Sequence, residues 1–420
     1  MNGRAYESVF IPIVNSVIGH AEMNITLPVK SIFKPSSISM LAVSASFAAW
    51  LFPSFGVLRK GFNHAEILTL ASFLTLFCWY SMIFASFFVG QKLGAFALPV
   101  RPKRLSILTL EANAVYYGFT LLASLGIGTM LVRIFHDMPV KQALLFISLG
   151  QTNALKDTLY ENYSVGFVSL RYLVLYPASL ALYRIFKLKQ YSLINFYNIL
   201  LVCVGTFLSS RLILMATLVT TFFLLYFGEK SIRVSIPKIA GFAAFLFLLL
   251  GALNLSRNAN YYERNNLSFA LAGASEILAY VGSPFQVAIG AAKVTDRLAA
   301  GLGNEYRDYV DVEINLNTNS AFALLLQQMG YFEWPYIAVV CLTMGFVFEA
   351  LASLGKTIYL LPCGAILYAS SELWRLDLFQ QGTFIVWFMI GIGLPTSLVL
   401  LQAFIRFVGR LPKSSPQLPI

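Results

Sequence analysis

The sequence predicts an all-α protein, a polytopic membrane helix bundle of about ten helices (10–12) with one large extracytoplasmic loop. Three observations predict it. Hydrophobic residues make up 58% of the 420 positions, charged residues only 12%, and mean hydropathy is +0.72, too little charge for a soluble domain of this size. Apolar stretches long enough for the roughly 20 residues of helix that cross a hydrocarbon core of about 30 Å recur along the chain. One long polar window, Ser256 to Glu333, interrupts the later stretches.

In order, the expected spans run from Ile38 to Val57, Glu66 to Val89, Ala112 to Ile134, Tyr163 to Ile185 and Ser192 to Ser209. They continue from Leu212 to Gly228, Pro237 to Asn254, Glu333 to Ser353, Thr357 to Trp374 and Thr383 to Ile405. Each is an apolar run bounded by charged, Pro, Gly or Asn residues. The fifth and sixth spans nearly touch, which demands a tight helical hairpin. Val9 to Ile18, broken by Pro12 and Asn15, reads as an interfacial segment rather than a cleavable signal peptide. We expect residues 1–420 to form one transmembrane domain, with residues 255–332 as its large periplasmic loop.

Basic residues favour the cytoplasmic side of short loops. Placing both termini inside puts Lys30, Lys34, the Arg101 to Arg104 cluster, Arg184, Lys187, Lys189, Lys230, Arg233, Lys356 and the basic C-terminal tail there, with Arg59 and Lys60 as the main exceptions. The polar window then lies outside. The net charge of +11 is dispersed among spans, which fits anionic lipid and argues against nucleic acid as a partner. Cys78, Cys203, Cys341 and Cys363 all fall in apolar spans, without disulfide or metal-ligand spacing.

Within the window, Ser268 to Lys293 is apolar but punctuated by Gly273, Gly282, Pro284 and Gly290, and short helices resting on the bundle are expected there. Asp296 to Asn319 is the wettest part, and its Asp308, Asp311 and Glu313 lack a recognisable ligand spacing. His136 to Asn162 reads as a second interfacial helix pair. None of the three histidines, His20, His64 and His136, lies in the window, which excludes histidine chemistry there.

Arginines carry the functional signal. Arg211, in Ser209-Ser210-Arg211, is held at the outer bilayer edge because no loop separates its two spans. Arg171, counted from Tyr163, lies about 12 Å along its span. An unpaired charge at a span's centre costs roughly 2.5–3.5 kcal/mol, so it should face a cavity or a partner. Arg257 and Arg264 open the external window, and Glu372, Arg375 and Asp377 stand at the outer end of the ninth span. Guanidinium groups gathered on one side, against the positive-inside trend, suit a diphosphate, because the planar fork donates two hydrogen bonds and keeps its charge. Glu372 or Asp377 could accept a proton from an attacking hydroxyl.

The Ser-Ser-Arg at a span's outer end, the large external loop, and Asn315-Leu316-Asn317-Thr318-Asn319-Ser320 leading to Gly330 and Gly345 follow one another in order. In this layout the chain resembles the Wzy-type O-antigen and oligosaccharide repeat-unit polymerases, GT-C-like integral membrane glycosyltransferases. Where those polymerases often show Asp-Phe-Gly, this chain reads Gln328-Met329-Gly330. The resemblance implies metal-independent, cofactor-free polymerisation of undecaprenyl-diphosphate-linked repeat units at the outer face of a bacterial cytoplasmic membrane. Donor and acceptor would both be lipid-linked oligosaccharides, with a chain-length regulator protein as a further partner. It implies catalytic roles for Arg211, Arg171 and Glu372, the last as base, and substrate contacts from Arg257, Arg264, Arg375, Asn317 and Asn319. An O-antigen ligase or a lipid-linked oligosaccharide flippase is the alternative. The window lacks a ligase's histidine, and the chain lacks the two similar halves common in transporters.

Overall fold

The computed structural model describes residues 24–27, 29–51, 67–97, 110–149, 167–227, 229, 232–235, 269–301, 306, 319–354 and 357–408, with scattered positions between 237 and 252. It is a helical bundle. Four helical runs, Leu70–Ala97, Asn113–Asp137, Ala321–Ser353 and Gly382–Gln402, are long and apolar enough to cross a membrane, and Pro35–Leu51, Leu193–Leu208 and Arg211–Tyr226 are shorter apolar helices.

The chain enters through strand β1 (Asn24–Leu27), the single turn α1 (Val29–Ile32) and helices α2 (Pro35–Leu51), α3 (Leu70–Ala97) and α4 (Leu110–Asp137). A short helix α5 (Val140–Ser148) follows. Next come a 3-10 segment (Phe167–Val174), α6 (Leu175–Leu188), α7 (Leu193–Leu208), α8 (Arg211–Tyr226) and strand β2 (Ile232–Ser235). Described positions between 237 and 252 are helical. The last part contains α9 (Phe269–Lys293), α10 (Thr295–Ala299), α11 (Ala321–Met329), the 3-10 turn Gly330–Phe332, α12 (Glu333–Ser353), α13 (Thr357–Glu372) and α14 (Gly382–Val408).

Several sequence expectations need correction. β1 and β2 pair antiparallel, from Asn24 with Ser235 to Leu27 with Ile232, in a chain expected to be all helical. The stretch Ser268 to Lys293 forms one helix of 25 residues through Pro284, not several short ones. Contacts with α2 line its path: Ser46 Oγ donates to Val281 O at 2.7 Å, Trp50 Nε1 donates to Gln286 Oε1, and Phe285 packs on the rings of Phe47 and Trp50. The second span continues past Val89 to Ala97, where Lys92 lays its ammonium 5.3 Å from the Phe88 ring. Of the proposed pair in His136 to Asn162, α5 lies among the described residues and 150–166 lies outside them.

Helix α13 is the axis of the bundle. Leu360, Leu361, Cys363, Ala365, Ile366, Leu367 and Ala369 are all fully buried, as expected of a helix that is apolar on every side. Around it, α2, α8, α12 and α14 make contact. The outer surface is apolar too: Phe73, Phe77, Phe84 and Phe88 of α3 project outward as two stacked pairs. Water would reject such a stripe, and lipid accepts it.

Helices α3 and α12 approach most closely. Gly90 meets Leu342 and Phe346, Gly94 meets Phe346 and Glu349, and Gly345 meets Phe87, so the contacts advance together and the two helices run in the same direction. Gly90 and Gly94 form the small-xxx-small spacing that lets membrane helix backbones touch. A Cβ at Gly90 would stand 2.0 Å from Leu342 O. Gly90→Ala is therefore expected to cost about 1–3 kcal/mol and lower the melting temperature in detergent, whereas Gly393→Ala, with open space at its Cβ, should melt like the parent.

Candidate functional site

The hairpin between α7 and α8 consists of Ser209 and Ser210 alone. Ser210 is extended and its hydroxyl accepts the Leu212 N–H at 3.3 Å, so α8 starts at Arg211. A cation in the first turn sits at the positive end of the helix dipole, which disfavours it. Arg211 thus has a position that helix stability does not explain. Its guanidinium carbon lies 5.8 Å from the ring centroid of Tyr280 on α9.

Arg375 reaches the same ring from the turn after α13. Its guanidinium carbon is 4.7 Å from the Tyr280 centroid and 5.9 Å from that of Trp374, and Tyr280 meets Trp374 edge-on at 6.3 Å. The sum of the two distances to Tyr280 bounds the separation of the Arg211 and Arg375 charges. Glu372 holds Arg375 in place: its carboxylate accepts from Arg375 Nε, and its carbonyl accepts the Arg375 N–H at 2.9 Å. The Glu372 carboxylate, expected as a base, is committed to this ion pair.

Arg171 joins the group through Ser209. It is fully buried, and donates from Nε to Ser209 Oγ at 2.9 Å, from Nη1 to Val168 O at 2.9 Å and from Nη2 to Tyr172 Oη at 3.1 Å. Its face covers the Tyr172 ring at 4.5 Å. Among the described residues no carboxylate pairs with it. Two expectations change here. Arg171 lies in a 3-10 segment that begins at Phe167, so the helical count from Tyr163 does not apply. Three of its five N–H donors are also bound within the protein, which makes it a positioning residue for Ser209 and the hairpin.

What admits Arg171 is Gly126 of α4. A Cβ there would stand 2.1 Å from Arg171 N and 2.2 Å from Leu170 C, so only glycine allows the 3-10 backbone to lie against α4. Trp387 of α14 fixes the other flank: its indole N–H donates to Tyr172 O at 2.7 Å, and its carbonyl accepts Tyr176 Oη–H at 2.8 Å. Tyr368 packs edge-on against Trp387 at 6.1 Å, one turn before Glu372. Guanidinium groups and aromatic rings thus alternate around the end of α13.

Asp377 stands apart from this group. Its Oδ1 accepts the Phe379 N–H at 3.0 Å and its Oδ2 accepts Tyr336 Oη–H at 3.2 Å, which ties the α13–α14 turn to α12. Burial pushes its carboxyl up to about 6, against the opposing pull of those hydrogen bonds. On the same end, Thr75, Thr295, Phe322, Leu326, Tyr331 and Trp334 line a cavity of about 400 Å³. Beside it Glu333 is fully buried, and neither carboxylate oxygen has a hydrogen-bond partner among the described residues.

Of the expected site residues, Arg171, Arg211, Glu372 and Arg375 are brought together. Arg257, Arg264 and Asn317 lie outside the described residues. Asn319 is half-buried ahead of Ser320, whose hydroxyl accepts the Ala323 N–H and caps α11. Tyr280, Gly126 and Trp387 escape sequence reasoning. A tyrosine two residues before Gly282-Ser283-Pro284 is the signal available for Tyr280. Among the described residues no group of three or more His, Cys, Asp or Glu side chains could hold a metal ion.

Two measurements follow from this geometry. Gly126→Ala should destabilise the detergent-solubilised protein by about 1–3 kcal/mol, while Gly128→Ala, which meets open space two residues on, should be neutral within about 0.5 kcal/mol. For Asp377, the folded carboxyl titrates near 6 rather than 3.8, so ionisation weakens the fold as pH rises between those values. Asp377→Asn should gain melting temperature over the parent progressively from pH 4 to pH 6.5 or so and hold that gain above; a gain independent of pH would contradict the assignment. Comparison with protein-family models, curated proteins and solved structures finds no match for this chain, so the site is read from its own geometry.

Proposed function

We propose that this chain polymerises oligosaccharide repeat units carried on a polyprenyl diphosphate, at the outer face of a bacterial cytoplasmic membrane. The observation that carries the reading is the meeting of Arg211 and Arg375 on one tyrosine ring at the end of the bundle. A diphosphate carries its charge on two phosphoryl groups, and two planar forks can grip it at once.

In this reading the acceptor's sugar hydroxyl attacks the anomeric carbon of the donor glycan, the bond to the diphosphate breaks, and negative charge develops on the departing diphosphate. Arg211 and Arg375 stabilise that charge where it forms. Arg171 sets the hairpin that aims Arg211, and Glu372 sets Arg375. Asp377, with its carboxyl pushed up to about 6, is the proposed proton acceptor that is not held in an ion pair. The aromatic cavity beside Trp334 and Tyr331 gives sugar rings a surface to stack on. Arg257, Arg264 and Asn317 remain proposed substrate contacts from the external loop.

Ten spans with both termini inside accord with two packing facts. β1 and β2 pair, so the six proposed crossings between them bring the chain back to the side it left. Helices α3 and α12 run in the same direction, so an odd number of crossings separates them. The helical residues at 237–252 supply the fifth, after α4, α6, α7 and α8.

Arg211→Lys keeps the charge and loses the fork, and is expected to abolish most polymer in a complemented deletion strain while the protein inserts at parental level. Full-length glycan from that variant would overturn the assignment. The deletion strain itself should accumulate single repeat units on the lipid carrier or core; long lipid-linked chains would mean a ligase, and cytoplasmic accumulation a flippase.

A further inference from the structure

The opposite end of the bundle holds a second arginine site. Arg184 lies 13 positions after Arg171 on the same 3-10 and helical run, about 20 Å away along the axis. There Asn113 and Tyr117 of α4, Arg184 of α6, and Gln190, Tyr191 and Ser192 of the α6–α7 turn line a cleft of about 460 Å³.

The cleft is built on a buried polar scaffold. Tyr116 Oη donates to Asn195 Oδ1 at 2.7 Å and accepts from Asn198 Nδ2 at 2.8 Å, and Asn195 Nδ2 donates to Gln190 O at 2.9 Å, which ties the turn to α7. Lys189 adopts the left-handed conformation that ends α6, with φ at 56°. On this base the Arg184 guanidinium lies 4.1 Å over the Tyr116 ring, and one Nη2 N–H donates to Asn113 Oδ1 at 2.7 Å. Among the described residues no carboxylate pairs with Arg184. The neighbouring Lys187 has its own partner, Glu229, at 3.2 Å, so Glu229 is not available to neutralise the cleft. A stacked, half-buried guanidinium with unused donors, beside the Ser192 hydroxyl and Gln190 amide, asks for an anion with several acceptor oxygens.

The surroundings say what carries that anion. Tyr117 and Tyr191 stand exposed at the rim, and the helix surfaces leading away from it expose Phe186, Leu193 and Phe196. Tyrosines at the edge of an apolar surface, with a cation between them, match a lipid at the membrane boundary: phosphate in the cleft, acyl chains along the aromatic and leucine surface. We propose that the Arg184 cleft binds the phosphate of an anionic phospholipid headgroup, in the leaflet opposite the Arg211 and Arg375 cluster. This site is independent of the polymerase reading.

Native mass spectrometry of the full chain, released from detergent after titration with phosphatidylglycerol or with phosphatidylcholine of the same acyl chains, tests it. Phosphatidylglycerol should be retained saturably and in preference, and Arg184→Gln should weaken that retention about fivefold or more. Should Arg184→Gln fail to fold, the rim variant Gln190→Ala/Ser192→Ala leaves Arg184 and Tyr116 in place and should still weaken retention measurably. Inorganic phosphate is the competing arm: no displacement at millimolar concentration assigns the cleft to the lipid, and full displacement assigns the same phosphate chemistry to a free ion, overturning the lipid. Equal retention of the two lipids, or undiminished phosphatidylglycerol binding by a folded Arg184→Gln protein, overturns the site.

Discussion

A fully buried guanidinium with no carboxylate partner among the described residues is the constraint on which this end of the bundle is organised. Taking a charge out of water costs several kcal/mol unless hydrogen bonds and a polarisable surface replace the lost hydration. Around Arg171 those substitutes come from three places at once: a hairpin hydroxyl, a carbonyl of its own segment and a tyrosine ring with its hydroxyl. Each must be held still to serve. Gly126 admits the backbone, Trp387 pins the Tyr172 carbonyl, and Ser209 has no freedom because only one residue separates it from the next helix.

The same economy shapes the pair formed by Arg211 and Arg375. Tyr280 belongs to a helix that enters from the long polar window, yet it lies between side chains from α8 and the α13–α14 turn. Rings of Tyr280 and Trp374 let two like charges approach, because each guanidinium is attracted to a π-face while the Glu372 carboxylate screens one of them. Removing any one member would leave a charge facing another charge or an apolar wall. That interdependence makes the assembly a poor candidate for mere surface decoration.

Much of the bundle was legible beforehand, for physical reasons. Runs of apolar residues report burial in lipid directly, and the hairpin at Ser209-Ser210 follows from two spans with no residues left for a loop. The arginines were legible because charge is rare in such sequence. What could not be read were features that depend on a partner far along the chain. Gly126 looks like any helical glycine until Leu170 and Arg171 are laid against it. Tyr280 lies in an apolar run with nothing to show that two guanidinium groups would share its ring. The pairing of Glu372 with Arg375 and of Asp377 with Tyr336 separates two carboxylates that look interchangeable in sequence. The β1–β2 ribbon likewise joins segments more than 200 residues apart, whose apolar character alone suggested no strand.

The winding of the segment before α6 has a consequence for membrane thickness. Helix α6 has 14 residues and would reach about 21 Å at 1.5 Å per residue, short of a hydrocarbon core of about 30 Å. The eight residues before it climb about 2.0 Å each and add about 16 Å, so the tighter coil lengthens the run without more sequence. Measured from Leu188, Arg171 then lies about 27 Å along the run, where its charge ends enclosed by the protein among Ser209, Val168 and Tyr172.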